Sequence, residues 1–233
     1  MNEALASLNA AIEGKNEIES LAILADLFPG QVVFSTSLGY EDQVITDLIL
    51  KNNLDITIFT LDTGRLFSET YMTLQKTNNR YDTKIKVYYP QTQAAEELVS
   101  TKGPLSFYES VENRKECCFI RKVEPLNRAL KGAKIWVTGI RAEQSGNRQG
   151  MERLEADEAH NLVKFHPILD WSFEEVKHYV KSNGIPYNPL HDRGFVSIGC
   201  APCTRAIQEG EDFRAGRWWW VYESKKECGL HAK

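Results

Sequence analysis

Five cysteines carry most of the chemistry legible in this chain of 233 residues. They stand as a tandem pair, Cys117 and Cys118, a C-x-x-C pair, Cys200 and Cys203, and a single Cys228. Four soft ligands in two local pairs suit zinc or an iron–sulfur cluster, and C-A-P-C alone also reads as a thioredoxin-like redox pair. The tandem pair favours the cluster. Adjacent side chains diverge on a helix and on a strand alike, so chelating one zinc ion with both is strained, whereas a cubane offers each sulfur its own iron. Cys228 sits in Glu227-Cys228-Gly229-Leu230-His231, beside Lys225 and Lys226. Positive charge there favours a thiolate, as a mobile nucleophile needs; on spacing alone a spare tail cysteine is the simpler reading.

Two polar stretches offer a ligand site. Ser35-Thr36-Ser37-Leu38-Gly39-Tyr40-Glu41-Asp42 runs from an apolar strand pattern into a helical one, where hydroxyls and backbone N–H groups can meet an anion. An ordinary capped turn gives the same pattern. It lacks the G-K-[ST] ending of a P-loop. Leu61-Asp62-Thr63-Gly64-Arg65 follows a second strand pattern: Asp62 can accept from a ribose or adenine group, Gly64 permits close approach, and Arg65 can pair with phosphate or sulfate. Two such loops on strand ends point to a nucleotide crevice. Arg141, Arg148, Arg153, Arg214 and Arg217 add cations with no helical ladder to explain them. Trp218, Trp219 and Trp220 cannot all face one core, so at least one should cap a lid, a ligand or a subunit contact.

The elements that must position these residues alternate. Apolar spacing over residues 3–27 predicts one or two amphipathic helices that stop at Pro29-Gly30. Strands are expected over 31–36, 55–61, 84–89, 134–140 and 162–168, with a helix over 114–130 and another opened by a Ser172/Glu175 capping box. Strands separated by helices mean a mostly parallel α/β sheet flanked by helices, here in a single domain.

Composition sets the frame. Lys+Arg 28 against Asp+Glu 32 leaves a formal net charge of -4, without the basic excess of a nucleic-acid binder. The 26% of charged residues excludes general disorder. No basic leader precedes an apolar run and no stretch reaches membrane-spanning length, so a cytoplasmic location with neither nucleic acid nor membrane as partner is expected.

Over nearly its whole length the chain resembles the reductases of adenosine 5'-phosphosulfate and of its 3'-phosphorylated relative, in their bacterial iron–sulfur branch. The resemblance rests on STSLGYED, LDTGR, ECCFIRK, VTGIRAEQSGNR, GCAPC, RAGRWWW and ECGLH, in the family's order. It implies an adenine nucleotide alpha hydrolase-like fold related to the ATP pyrophosphatases, with residues 28–200 as nucleotide-binding core and 204–233 as a flexible C-terminal lid or tail. It implies a 4Fe-4S cluster on Cys117, Cys118, Cys200 and Cys203, the nucleophile at Cys228, and substrate contacts at Ser35, Ser37, Asp62, Arg65, Lys122, Arg141, Arg148, Arg214 and Arg217. Leu38-Gly39-Tyr40, where the synthetases of that fold carry paired glycines, suits a one-phosphate substrate.

The activity so implied is assimilatory reduction of adenosine 5'-phosphosulfate to sulfite and AMP, through a thiosulfonate on Cys228, for cysteine biosynthesis. Since the sequence stops at Lys233 without a thioredoxin-like extension, thioredoxin or glutaredoxin is expected as an external reductant. A homo-oligomer is compatible with this reading. The rival readings are a reductase of the 3'-phosphorylated substrate or of both substrates, a sulfur-transfer synthetase acting on RNA, and a zinc-stabilised nucleotide-binding module without catalysis.

Overall fold

A computed structural model of the chain describes residues 2–144, 148 and 150–221. Cys228, with its neighbours Lys225 and Lys226, lies outside the described residues. The first helices are α1 (Asn2–Ile12) and α2 (Glu17–Leu27). They are separate because Gly14 takes a left-handed φ of 69°, and Asn16 and Glu19 then form a reciprocal capping box that restarts the helix.

Five strands follow the expected places: β1 (Val32–Ser35), β2 (Thr57–Leu61), β3 (Lys86–Tyr88), β4 (Ile135–Val137) and β6 (Leu162–Phe165). The sixth, β5 (Leu154–Asp157), was not expected, because Leu-Glu-Ala-Asp has little intrinsic strand preference. It pairs antiparallel with β6, Glu155 opposite Lys164. The sheet order is β3-β2-β1-β4-β6-β5. The pairs β1/β2, β1/β4 and β4/β6 are parallel, so the mostly parallel α/β architecture is as the alternating pattern requires.

The helices between strands are α3 (Tyr40–Lys51), α4 (Ser68–Arg80), α5 (Thr92–Lys102), α6 (Val111–Cys118), α7 (Glu124–Ala129) and α8 (Phe173–Ser182). The single helix expected over 114–130 is interrupted. Residues Phe119–Val123 form a π turn, and the Glu124 N–H donates to Phe119 O. Pro125 has no N–H to return to the preceding turn, so the wider turn sits where one backbone bond is lost anyway. α8 opens on the Ser172/Glu175 capping box.

The described residues pack as two compact units, those within 1–60, 69–86 and 130–188 in the first, and those within 61–68, 87–129 and 189–233 in the second. In the first, Val32 and Phe34 of β1, Ile135 and Val137 of β4 and Phe165 of β6 are fully buried. Val44, Ile45 and Ile49 of α3 and Val176 and Val180 of α8 pack in the same core. Central parallel strands are covered on both faces, which is why they read as unbroken apolar runs. The second unit has a smaller core of Phe107, Cys200, Cys203 and Trp218. Among the described residues, no helix is long and apolar enough to cross a membrane.

Candidate functional site

In the second unit, Cys117 and Cys118 end α6, while Cys200 and Cys203 bracket a 3-10 turn at Ala201–Cys203. The four side chains line one cavity with Phe107, Arg114, Arg121, Lys122 and Trp218. Neighbouring elements anchor the turn. The Ala201 N–H donates to Arg65 O at 2.8 Å, and the Trp218 N–H donates to Cys203 O at 3.1 Å. Cys200 Sγ and the Thr63 hydroxyl are hydrogen-bonded at 3.3 Å.

These sulfurs are electrically unequal as free thiols. Burial raises Cys117, only partly opposed by Arg65 and Arg121. Burial and the charge on Cys200 push Cys203 up to about 12. Burial also acts to raise Cys200, but Lys122, the Thr63 hydroxyl and Arg217 outweigh it and the net direction is down. Four clustered thiols, of which Cys200 and Cys203 are buried and Cys117 and Cys118 half-buried, need added positive charge to be held together as thiolates, and a metal centre would supply it. Among the described residues, no group of three or more His, Cys, Asp or Glu side chains is placed to hold a metal ion. The donor set, all sulfur and split between a helix end and a tight turn, fits a cubane that gives each sulfur its own iron.

Sequence reasoning passed over Thr63, Arg114 and Arg121. The signal for the arginines was available: Arg114 lies three residues before Cys117, and Arg121 three after Cys118. Helical spacing brings such positions to one face. Arg121 Nη1 donates to Thr63 O at 2.7 Å, which fixes it against the Asp62–Arg65 loop. The guanidinium carbon of Arg114 lies 4.9 Å from the Trp218 ring centroid.

The remaining expected contacts of this unit are arranged as follows. Asp62 is buried and accepts from the Gly64 N–H at 2.8 Å. The guanidinium of half-buried Arg65 lies 4.9 Å from the Phe107 ring centroid. Lys122 is buried and hydrogen-bonds Cys200. Arg217 is buried with its guanidinium carbon 5.0 Å from the Trp218 ring centroid. Arg214 is half-buried in a turn where its N–H donates to Asp212 Oδ1 at 2.8 Å. The three tryptophans do part company: Trp218 is 1% exposed, Trp219 is 50% exposed, and Trp220 packs on Tyr108 at 4.4 Å between ring centroids.

In the first unit, the Ser35 hydroxyl accepts from Trp136 Nε1 at 2.8 Å. The Ser37 N–H and hydroxyl both donate to Asp42 Oδ2, at 2.5 and 2.6 Å. Asp42 fits because Gly139 has no side chain: a Cβ there would lie 2.1 Å from Asp42 Oδ1. Arg141 is fully buried. Its Nε donates to Glu41 Oε1 at 3.0 Å, and its Nη1 to Glu143 Oε2 at 2.7 Å and to Trp171 O at 3.2 Å. Gln144 bridges, donating to Glu41 and accepting from Arg148. Arg153, by contrast, donates to Lys15 O at 3.2 Å.

Burial raises the Asp42 carboxyl from 3.8 to about 6, against the two Ser37 donors that favour its charged form. The folded protein therefore holds this proton more tightly than the unfolded chain, and that contribution is full below about pH 4 and lost as pH rises to about 6. The shift corresponds to about 3 kcal/mol. Unfolding free energies across this window should show wild type losing stability relative to Asp42→Asn as pH rises. A difference independent of pH would contradict the assignment.

Residues 31–206 match the model of the phosphoadenosine phosphosulfate reductase domain. The chain is 51% identical over 225 residues to the adenosine 5'-phosphosulfate reductase of Sinorhizobium fredii, covering 97% of this chain and 89% of that protein. It is 52% identical over 202 residues to the adenosine 5'-phosphosulfate reductase of Allochromatium vinosum, covering 87% and 79%. Among solved structures, a phosphoadenylyl-sulfate reductase from Candida auris in complex with phosphate superposes with a TM-score of 0.73 at 29% identity, covering 89% of this chain and 98% of that one. Yeast FAD synthetase shares the fold alone, with a TM-score of 0.56 at 16% identity over 86% of this chain and 67% of that one.

Proposed function

Because the chain belongs to the phosphoadenosine phosphosulfate reductase domain family, we propose that it reduces adenosine 5'-phosphosulfate to sulfite and AMP at the expense of a dithiol protein. The observation that carries this reading is the set of four cysteines around one cation-lined cavity in the second unit, in a chain whose relatives at 51–52% identity are adenosine 5'-phosphosulfate reductases.

The reaction must join two anions, a thiolate and a sulfated phosphate. The Cys228 thiolate attacks the sulfate sulfur; an S–S bond forms, the S–O bond to the phosphate breaks, and AMP leaves with that electron pair. A thiolate of thioredoxin or glutaredoxin then attacks Cys228 Sγ and sulfite departs with the S–S pair. The reductant's second thiol closes its own disulfide, so the dithiol is oxidised and Cys228 returns to the thiolate. Arg65, Arg148, Arg214 and Arg217 offset the charge of the bound anion, Lys122 screens the sulfurs from it, and Asp62 accepts from the nucleoside. Ser35 and Ser37 complete the contacts. Here Arg141 acts through the loop it ties to Glu41 and Glu143.

Cys117, Cys118, Cys200 and Cys203 would hold a 4Fe-4S cluster, which when bound would tie α6 to the 200–203 turn and add a fixed charge to the cavity they line. Residues 28–200 form the nucleotide-binding core and 204–233 the C-terminal segment that brings the nucleophile. The enzyme works in the cytoplasm, in assimilatory sulfate reduction for cysteine biosynthesis.

The solved relative that acts as a phosphoadenylyl-sulfate reductase supports a second reading, in which the 3'-phosphorylated nucleotide is also accepted. Steady-state sulfite release with thioredoxin separates the two. The first reading expects a clear preference, in kcat/KM, for the unphosphorylated ribose; equal or reversed values favour the second.

Arg217→Ala should weaken binding of the sulfated nucleotide by about 1.5–3 kcal/mol, roughly 10- to 150-fold in Kd, through loss of a charge-assisted contact. Calorimetric binding and a melting curve check it together. A sharply lowered Tm with unchanged affinity would assign Arg217 to the fold instead.

A further inference from the structure

Gly199 stands immediately before Cys200. Its φ is not left-handed, so any residue can adopt that backbone. What only glycine gives there is space. A Cβ at this position would lie 2.3 Å from Nη2, 2.5 Å from Cζ and 2.7 Å from Nη1 of Arg217. The guanidinium thus rests directly against the Gly199 backbone, with its Nε lacking a hydrogen-bond partner among the described residues.

The backbone on both sides is fixed. Thr204 and Arg217 form an antiparallel bridge. The Arg205 N–H donates to Gly216 O at 3.0 Å, and the Gly199 N–H donates to the Thr204 hydroxyl at 3.2 Å. A methyl group at residue 199 would therefore be accommodated by moving the far end of the Arg217 side chain, at little cost to the fold. The geometry points to Gly199 as a positioning residue that admits the Arg217 guanidinium to its place beside the Cys200–Cys203 turn and so sets affinity for the sulfated nucleotide. This rests on the reading of Arg217 as a substrate contact.

The test is a double-mutant cycle on Gly199→Ala and Arg217→Ala. Calorimetric Kd values for adenosine 5'-phosphosulfate are measured in the Cys228→Ser background, so that bound substrate is not consumed, and Tm is followed alongside. Gly199→Ala should raise Kd about tenfold and leave Tm close to that of its parent. In the Arg217→Ala background it should change Kd by less than about twofold, because its only route is already gone. A merely structural glycine would weaken binding in both backgrounds and lower Tm in both. Losses that multiply, or an unchanged Kd for Gly199→Ala while Arg217→Ala is weakened, would overturn the proposal alone. An unchanged Kd for Arg217→Ala would instead remove the substrate contact on which it rests, and the proposal with it.

Discussion

Replacing Cys228 by serine should abolish sulfite release while leaving the folded protein, its metal content and its nucleotide affinity intact. A serine hydroxyl is overwhelmingly protonated near neutral pH, and without an adjacent base it is a poor nucleophile. A cysteine thiolate is populated at that pH, and more so beside cations such as Lys225 and Lys226. The reading assigns the cluster to Cys117, Cys118, Cys200 and Cys203 and gives Cys228 no ligand role, so its loss should spare that site. Sulfite release at a rate comparable to wild type would remove Cys228 from the mechanism.

Cys203→Ser should be as damaging to turnover by another route. Cys203 is buried, and its thiol resists ionisation because burial and the charge on Cys200 both oppose it. In the proposed cluster a serine there would leave one iron without its thiolate, open to oxidation and loss. The protein should lose its brown colour and its broad absorbance near about 400 nm, together with bound iron and activity. A fully active variant that keeps four irons per chain would contradict the assignment. Colourless, zinc-bound wild type with full activity would sink the cluster altogether.

Much of this site is legible before any coordinates. C-x-x-C and C-C are local patterns, and the cavity lined by Cys117, Cys118, Cys200 and Cys203 is what two pairs of soft ligands imply. The central strands β1 and β4 are legible for a similar reason, since burial on both faces leaves an unbroken apolar run.

What escaped depends on distant or compensating contacts. β5 exists because β6 offers it an edge to pair with, not because of its own residues. The break between α6 and α7 turns on a single missing donor at Pro125. Arg141 reads as a free cation in the sequence, yet its partners Glu41 and Trp171 stand about 100 residues before it and 30 after it. A charge pattern along the chain carries no such information. Gly139 and Gly199 carry no signal of their own in the sequence, and only the approach of Asp42 and Arg217 gives their missing side chains a purpose.

The most direct test of a covalent reduction is the intact mass of the wild-type protein after incubation with adenosine 5'-phosphosulfate and no reductant. The account predicts a gain of one sulfonate per chain, mapped by peptide mass to Cys228, removed by thioredoxin with release of sulfite, and absent from Cys228→Ser. Wild-type protein that turns over the substrate with thioredoxin yet gains no adduct without it would contradict the thiosulfonate route.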